Sequence, residues 1–388
     1  MKKEEHPIYL DYSATTPLAP EVSSVIETHY HNTYGNASSI HSYGRTAKVI
    51  LEESREIIAR SIGAETSEIF FTAGGTEADN HAVIGTAFAQ RRKYGKDHII
   101  VSATEHHAVL DSAEYLKNHG FHVTLLPVDE NGVARIAELN IMDKTALVSV
   151  MHANNETGVI QPIRKIAELA KNNRTVFHSD TVQTVGKIPV KVNDLGMDLL
   201  VISAHKIYGP KGIGAIYIRK GTDIDALLHG GVQERKNRAG TENIPLIAGF
   251  AKAIELAETG REKLFHHSVK LRLLLKDIIQ KNVQNVFINS LEEQSIPHIL
   301  NVSLDSSVYK VESETMLLTM DLKGVAVSSG SACTSGSVQP SHVLLAMGRD
   351  PRTTQTTIRF SFGKFTTIEE VKRAGNIFCS IVQSLPKN

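Results

Sequence analysis

The sequence predicts an α/β protein with a large, mainly parallel sheet and a smaller α+β domain. Between residues 69 and 218, short apolar segments of strand length alternate with longer segments of helical periodicity. Repeated strand–helix–strand units favour parallel strands with helices on both faces. A long helical stretch from residue 244 ends the alternation, and mixed strands and helices follow it. The expected boundaries are 16–260 for the large domain and 1–15 plus 261–388 for the small domain.

Each element follows from an apolar run bounded by Gly, Pro or polar turn residues. For the large sheet, the predicted strands are 69–72, 98–102, 122–128, 146–151, 176–178, 199–203 and 213–218. The predicted helices of this part are 20–29, 44–61, 80–91, 108–118, 163–171 and a short piece at 181–185. For the small domain, the predicted strands are 8–11, 286–288, 298–304, 326–328 and 356–362, and the predicted helices are 312–322 and 368–385. The helix at 244–281 joins the two parts.

Composition and charge argue against several classes of function. The chain has 388 residues, with 42 basic and 42 acidic side chains and a formal net charge of +0. This balance gives no support for binding nucleic acid or a membrane surface. The N-terminus shows no leader pattern, no apolar run reaches the ~18 residues of a membrane span, and no His/Cys spacing is typical of a zinc site. We therefore expect a soluble, cytoplasmic protein without a bound metal.

Lys206 directly follows the predicted strand 199–203. Burial at the end of a strand lowers the pKa of a lysine amine and makes it a better nucleophile, suited to a Schiff base with an aldehyde. A solvated surface lysine is the alternative at this position, because most lysines are exposed.

Two further features favour the interpretation that Lys206 forms a Schiff base. Asp180 follows the predicted strand 176–178, and Gly75 and Thr76 lie where the strand 69–72 turns into a helix. Pyridoxal phosphate needs a lysine for its aldehyde, a carboxylate at its ring nitrogen, and a helix N-terminus for its phosphate. The three pieces together point to a pyridoxal phosphate enzyme.

The two cysteines have contrasting surroundings. Cys333 lies among small polar residues at 328–337, which predicts an exposed loop with an accessible thiol, whereas Cys379 lies in an apolar helix and is expected in the core. An idle surface cysteine is the alternative for Cys333.

Nine segments in order along the chain resemble the motifs of the NifS/IscS-type cysteine desulfurases, which have the aminotransferase-like fold known as fold type I. The segments are YLDYSATTP at 9–17, GGTEADN at 74–80, EHHAVL at 105–110, NNETG at 154–158, HSDTVQ at 178–183, SAHK at 203–206, RAGTEN at 238–243, SGSAC at 329–333 and IRFS at 358–361. The residues around Cys333 are similar to the group with a long cysteine loop that passes sulfur directly to partner proteins.

The resemblance implies roles for the residues around the cofactor. Lys206 would hold pyridoxal phosphate covalently, Asp180 would pair with its ring nitrogen, and Gln183 would contact its ring hydroxyl. His106 would stack on the ring and transfer protons, and Asn155 would contact the cofactor or the substrate.

The resemblance also assigns the phosphate and substrate contacts. The phosphate-binding residues would be Gly75, Thr76, Ser203 and His205, joined by Thr241 from the neighbouring subunit of a homodimer. Arg359 would bind the substrate carboxylate through two parallel hydrogen bonds.

The implied reaction converts L-cysteine to L-alanine and leaves the sulfur as a persulfide on Cys333. Acceptor proteins would then receive the sulfur for iron–sulfur cluster assembly or for thiolation of tRNA and cofactors. Two alternatives stay open at this point: another fold type I enzyme, such as a selenocysteine lyase or an aminotransferase, and a sulfur-relay scaffold without turnover.

Overall fold

The computed structural model describes residues 7–330 and 340–387 of the chain. Its strands are β1 (Ile8–Tyr9), β2 (Ile69–Thr72), β3 (His98–Ser102), β4 (His122–Leu126), β5 (Thr145–Ser149), β6 (Val176–Asp180), β7 (Leu199–Ser203), β8 (Gly214–Ile218), β9 (Val286–Ile288), β10 (Ile299–Leu304), β11 (Val325–Ala326) and β12 (Thr357–Ser361). Its α-helices are α1 (Pro20–Asn32), α2 (Ser42–Ile62), α3 (Gly75–Asn80), α4 (Thr86–Tyr94), α5 (His107–Asn118), α6 (Ile163–Asn172), α7 (Val192–Leu195), α8 (Ile244–Asn282), α9 (Ser313–Leu322), α10 (His342–Ala346), α11 (Pro351–Thr354) and α12 (Ile368–Gln383).

The large sheet has seven strands in the order β2-β8-β7-β6-β5-β3-β4. Strand β8 runs antiparallel to both of its neighbours, and the other neighbouring pairs are parallel. The prediction of a mainly parallel sheet is therefore confirmed. Since parallel strands end at the same edge, the residues that follow β6 and β7 come together there.

Alternating side chains of the sheet enter two separate hydrophobic clusters. On β7, Leu200 and Ile202 join the cluster that includes α1, α2, α6 and the first part of α8. Their neighbours Leu199 and Val201 join the cluster on the opposite face, which includes α5. The period of two along a strand explains this division and leaves both faces of the sheet covered.

The C-terminal part forms smaller sheets with a hydrophobic cluster of their own. Strands β12, β10 and β9 make an antiparallel sheet, and β1 pairs with β11. Helix α8 is 39 residues long and contributes Ile254 to the first cluster and Leu271 and Leu275 to the C-terminal one. The first strand therefore packs with the C-terminal elements, while the domain division at residue 260 stays a prediction.

The predicted short helix at 181–185 is wrong. The segment forms successive turns, in which Thr184 N–H and Val185 N–H both donate to the carbonyl of Thr181 at 2.8 and 3.0 Å. The carboxylate of Asp180 accepts a hydrogen bond from the N–H of Val182 at 2.8 Å, and this contact stabilises a turn directly after β6.

The predicted helix at 80–91 begins earlier, at Gly75, and contains a π-helical segment at His81–Gly85 before it continues as α4 to Tyr94. The carbonyl of Gly85 accepts a hydrogen bond from Asp225 N–H at 3.1 Å, so a loop packs directly against this segment. A Cβ at Gly85 would lie 2.4 Å from the carbonyl oxygen of Asp225, which explains the glycine.

None of the helices within residues 7–330 and 340–387 combines the length and apolar character that crossing a membrane requires.

A buried ion pair holds an unusual turn against the large sheet. Arg55 Nη1 and Nη2 donate to the two carboxylate oxygens of Glu234 at 2.6 and 2.9 Å, and Phe71 N–H donates to the same carboxylate at 2.8 Å. Glu234, Arg235 and Lys236 have φ angles of 42°, 53° and 70°, a left-handed conformation that costs about 1–2 kcal/mol for each residue with a side chain. The ion pair thus offsets the strain of the segment that precedes Thr241.

We predict that Glu234→Gln lowers the free energy of unfolding by about 3 kcal/mol or more, because the substitution removes the buried counter-charge of the Arg55 guanidinium. Glu52→Gln is the matched control, since Glu52 also contacts Arg55 but its side chain is 36% exposed. Loss of this partly exposed partner is expected to cost about 1 kcal/mol or less. Urea denaturation measures the free energy of unfolding of both variants. Equal destabilisation would contradict the conclusion that Glu234 is the main partner of Arg55.

Candidate active site

A cavity of about 400 Å³, called the site cavity below, lies at the carboxyl edge of the large sheet. Many of the side chains singled out from the sequence line it. They are Gly75, Thr76, His106, Asn155, Asp180, Gln183, Ser203, His205, Lys206 and Arg359. The structure therefore brings together residues that are up to 284 positions apart in the chain, as shown by Gly75 and Arg359 (359 − 75 = 284).

Lys206 ends a single 3₁₀ turn, Ala204–Lys206, that begins directly after β7. Its Nζ donates hydrogen bonds to the carbonyl oxygens of Ser13 and Ala14 at 2.6 and 2.8 Å. Burial first, and the nearby guanidinium of Arg359 second, lower the pKa of the Lys206 amine from 10.5 to about 8, against the opposite effects of Asp180 and Asp11. A large share of this amine is therefore uncharged near pH 8, as a nucleophile requires.

Asp180 is the last residue of β6, and its side chain is 7% exposed. Burial raises the pKa of its carboxyl, whereas His106, the N–H of Val182 and Lys206 lower it. No ion pair joins Asp180 to a cation within the part of the chain that the structure describes. A buried carboxylate in this position lacks a fixed counter-charge and is suited to a cationic ligand.

Two other buried carboxyls lie close to Asp180. Burial raises the pKa of Glu105 to about 8, and the pKa of Asp79 is raised well above its ordinary value by burial and by the charges of Asp180 and Glu105. The protonated form is therefore favoured in both groups. Asp180 is the member of this group whose pKa is lowered by interactions with His106 and Lys206, against the effect of burial.

His106 caps the N-terminus of α5 with its ring. Nδ1 accepts a hydrogen bond from Ala108 N–H at 3.1 Å, so in the neutral ring the proton is on Nε2. Burial lowers the pKa of His106, and Lys206, His107 and His342 lower it further. The ring is therefore neutral at physiological pH, which fits contact with an aromatic ligand.

The N-terminus of α3 forms one wall of an adjoining cavity lined by Gly75, Thr76, Ser203, His205 and Lys211, among others. A Cβ at Gly75 would lie 3.2 Å from Val182 Cγ2 and 3.5 Å from Ser203 Cβ. The helix continues through the π segment into α4, and its first N–H groups have no partner within the helix. Backbone N–H groups, hydroxyls and a lysine together suit a phosphate group.

Arg359 lies on β12, and its side chain is 4% exposed. Nη1 donates to the carbonyl of Asn155 at 2.8 Å, and Nη2 donates to Asp11 Oδ1 at 2.8 Å. Asp11 was not assigned a role from the sequence, although it lies within the motif at 9–17. Its contact with Arg359 depends on a long-range pairing that no local pattern shows.

Gln183 has a fixed amide orientation. Its Nε2 donates to the carbonyl of Ser13 at 3.0 Å, while its Oε1 accepts from Lys187 Nζ at 3.2 Å. Thr241 is exposed and does not line the site cavity. Its predicted contact with a neighbouring subunit therefore stays a prediction.

Cys333 lies outside the described residues, but the chain before and after residues 331–339 reaches the site cavity. Ser328 and Gly330, which precede residues 331–339, line the site cavity, and so does His342, which follows them. Ser328 pairs with Arg359 through backbone hydrogen bonds of 2.6 and 3.3 Å. Gly330 is thus three residues from Cys333 and borders the cavity.

Glu156 is a buried residue of this region that was not assigned a role from the sequence, although it lies within the motif at 154–158. Ser341 Oγ donates to its Oε2 at 2.5 Å, and a Cβ on Gly330 would lie 3.1 Å from the same oxygen. Burial raises the pKa of Glu156, so a protonated form is favoured. This carboxyl therefore contacts both segments that flank residues 331–339.

Among the described residues, no group of three or more His, Cys, Asp or Glu side chains could hold a metal ion.

Comparisons with known proteins agree with this geometry. The aminotransferase class-V family model matches residues 8–374. The cysteine desulfurase IscS of Dictyoglomus turgidum is 47% identical over 387 residues, which cover 99% of this chain and 96% of the relative. A solved structure of a NifS-like protein has a TM-score of 0.89 and 37% identity, with 97% of this chain and 99% of that chain covered.

A solved structure of SspA in complex with cysteine has a TM-score of 0.79 and 32% identity, with 93% of this chain and 100% of that chain covered. The resemblance noted from the sequence motifs is confirmed. The chain belongs to the aminotransferase class-V family and, within it, to the NifS/IscS-type cysteine desulfurases.

Proposed function

We propose that the protein holds pyridoxal phosphate on Lys206, converts L-cysteine to L-alanine, and passes the sulfur to acceptor proteins as a persulfide on Cys333. The observation that carries this proposal is the meeting of Lys206, Asp180 and the α3 N-terminus around the carboxyl edge of one sheet. Relatives that share this fold and nearly the full length are named cysteine desulfurases, and one neighbouring structure contains cysteine.

The residues present fit pyridoxal phosphate. The Lys206 amine has a lowered pKa, Asp180 is a buried carboxylate without a cationic partner at ion-pair distance among the described residues, and an anion-binding wall adjoins both. When bound, the cofactor would supply an aldehyde for an amine and an electron-poor ring that withdraws electrons from the α-carbon of an amino acid.

The charged residues of the site would orient the cofactor and the substrate. Asp180 would keep the ring nitrogen protonated, and the neutral ring of His106 would lie against the cofactor. The Gln183 amide would contact the ring hydroxyl. Gly75, Thr76, Ser203 and His205 would bind the phosphate. Arg359, with one arm on the Asn155 carbonyl, would bind the substrate carboxylate.

Proton transfer at the α-carbon would fall to Lys206 once its amine is free. The carbonyls of Ser13 and Ala14 accept hydrogen bonds from Nζ and would hold the amine in place, and a pKa of about 8 lets it both take up and release a proton near neutral pH. His106 would assist as a second proton carrier.

The Cys333 thiolate would attack the sulfur of L-cysteine, so that an S–S bond forms while the C–S bond breaks. The remaining three-carbon fragment would take up a proton and leave as L-alanine, and the sulfur would stay on Cys333 as a persulfide. Gly330 borders the site cavity, and three residues of extended chain span about 10 Å, which is enough for the thiol to reach inside.

The active unit would be a homodimer in which Thr241 binds the phosphate of the neighbouring subunit. Thr241 is exposed and outside the site cavity of its own chain, and large apolar side chains are exposed at Tyr34, Ile40 and Val232. Exposed apolar side chains of this size are typical of contact surfaces. The acceptor proteins would be an iron–sulfur scaffold or enzymes that thiolate tRNA.

L-Cysteine turnover, assayed for alanine and sulfide, tests the proposal. We predict that Cys333→Ala abolishes sulfur release, because no other thiol would be able to attack the substrate sulfur. Cys379→Ala is the matched control, since Cys379 is 5% exposed in the C-terminal cluster, and it should retain most of the activity. Full sulfur release by Cys333→Ala would instead favour another pyridoxal phosphate enzyme, and a cofactor absorbance unchanged by L-cysteine would favour a relay scaffold.

We predict that Asp180→Asn lowers the turnover of L-cysteine at least about 100-fold and shifts the cofactor absorbance, because an amide cannot keep the ring nitrogen protonated. Asp79→Asn is the matched control, since burial and the charges of Asp180 and Glu105 raise the pKa of Asp79 and favour the neutral form of its carboxyl. Spectrophotometry and turnover assays measure both effects. Similar rates in the two variants would show that Asp180 does not have this role.

We predict that the reaction of cofactor-free protein with pyridoxal phosphate accelerates with rising pH and has its midpoint near pH 8, because the unprotonated amine of Lys206 reacts. Arg359→Gln should move this midpoint to higher pH, since removal of a nearby positive charge raises the pKa of the amine. Arg164→Gln, on the exposed face of α6, should leave the midpoint unchanged. Stopped-flow absorbance gives the rates, and a midpoint near 10.5 in all three proteins would refute the lowered pKa.

A further inference from the structure

A second cavity of about 470 Å³, called the rear cavity below, shares only Lys206 with the site cavity. Its walls come from the turns after β6, from the middle of α8, and from the segment that follows β12. None of the roles described above uses this space.

The charges around the rear cavity have one sign. Its lining includes basic or potentially basic side chains but no Asp or Glu. The basic residues are Lys187, Lys206, Lys263, His267, His298 and Lys364. Such a lining raises the local concentration of anions and disfavours cations.

Lys187 is the most unusual of these residues, because its side chain is buried with a relative exposure of only 8%. Its Nζ contacts Gln183 Oε1 and His298 Nε2, both at 3.2 Å, and makes no ion pair with a carboxylate of the described residues. Burial first, and the charges of Lys206 and Arg359 after it, lower the pKa of Lys187 to about 7. An ammonium in this position is poorly compensated and would be stabilised by an anion.

The remaining walls are mainly apolar and aromatic. They include Leu256, Leu264, Phe265, Phe362 and Phe365. At the rim, Lys364 Nζ lies 4.6 Å from the ring centroid of Tyr208 and 4.8 Å from that of Phe365. Apolar walls of this extent favour a ligand with a hydrophobic body over a free inorganic anion.

We propose that the rear cavity binds a small organic monocarboxylate with a hydrophobic body, whose carboxylate pairs with Lys187 and whose body packs against Leu264 and the phenylalanine side chains. This site is separate from the one that handles L-cysteine, because the two cavities meet only at Lys206. The same ammonium that binds the ligand holds the amide of Gln183.

Isothermal titration of the cofactor-loaded protein with 3-phenylpropionate tests the site, and 3-phenylpropionamide serves as the uncharged analogue of the same shape. We expect saturable binding of the carboxylate that is at least about tenfold tighter than binding of the amide, because the ion pair requires the charge. Equal affinity for the two probes, or no saturable binding of 3-phenylpropionate, would overturn the proposal. This test requires only the unchanged protein.

Variants then locate the probe. Lys187→Met, which keeps the length of the side chain without its charge, should weaken binding at least about tenfold. Lys165→Met on the exposed face of α6 is the matched control and should bind as the unchanged protein does. Lys364→Gln, at the exposed rim, gives a second variant that does not alter a buried group, and it should weaken binding by a smaller factor.

Arg359→Gln distinguishes the two cavities, because Arg359 lines only the site cavity. Retained binding in this variant supports the rear cavity. Loss of binding with Arg359→Gln, or unchanged binding with both Lys187→Met and Lys364→Gln, would place the probe elsewhere and overturn the proposal. None of these outcomes depends on whether the protein releases sulfur from L-cysteine.

Discussion

The hydrogen bonds from Lys206 Nζ to the carbonyls of Ser13 and Ala14 are the interaction on which the site depends. They join a residue after β7 to a segment near the N-terminus, which is connected to β1 and hence to the C-terminal sheets. The same segment accepts a hydrogen bond from Gln183, and Thr16 N–H donates to the carbonyl of His205. The position of the amine is therefore set only after both ends of the chain have packed around the large sheet.

Burial then determines the charges of the site. The pKa values of Asp79, Glu105 and Glu156 are raised, and those of His106, His178 and His205 are lowered, in each case mainly because water is excluded. Each of these shifts favours the neutral form. Charge consequently concentrates on few groups, above all the pair of Arg359 with Asp11, and a bound ligand meets a small number of strong, fixed interactions.

Much of the architecture and most of the site could be predicted because both leave local signals. Strands β2, β3 and β7 stand out as apolar runs between turn residues, and Lys206 is marked by its place directly after one of them. Long-range pairings leave no such signal. Neither the buried contact of Glu234 with Arg55 nor the position of Lys187 in the wall of the rear cavity follows from spacing, because each depends on how distant segments pack.

Two local predictions of helix differ from the structure. The segment after Asp180 forms successive turns instead of a helix, and the carboxylate accepts a hydrogen bond from the N–H of Val182 at its start. The early start of the helix at Gly75 follows from tertiary packing against Val182 and Ser203. The predicted roles of Cys333 and Thr241 stay predictions for different reasons: Cys333 lies outside the described residues, and Thr241 is exposed and does not line the site cavity of its own chain.

The continuous helix α8 has a consequence for modularity. At about 1.5 Å per residue, its 39 residues extend for roughly 58 Å, and its two halves belong to different hydrophobic clusters. The first cluster ends at Ile254 and, apart from Ile8 and Leu10, the C-terminal cluster begins at Leu271. An exchange of C-terminal parts between relatives would therefore keep most buried side chains with their packing partners only if the crossover fell between these two residues, in the middle of the helix.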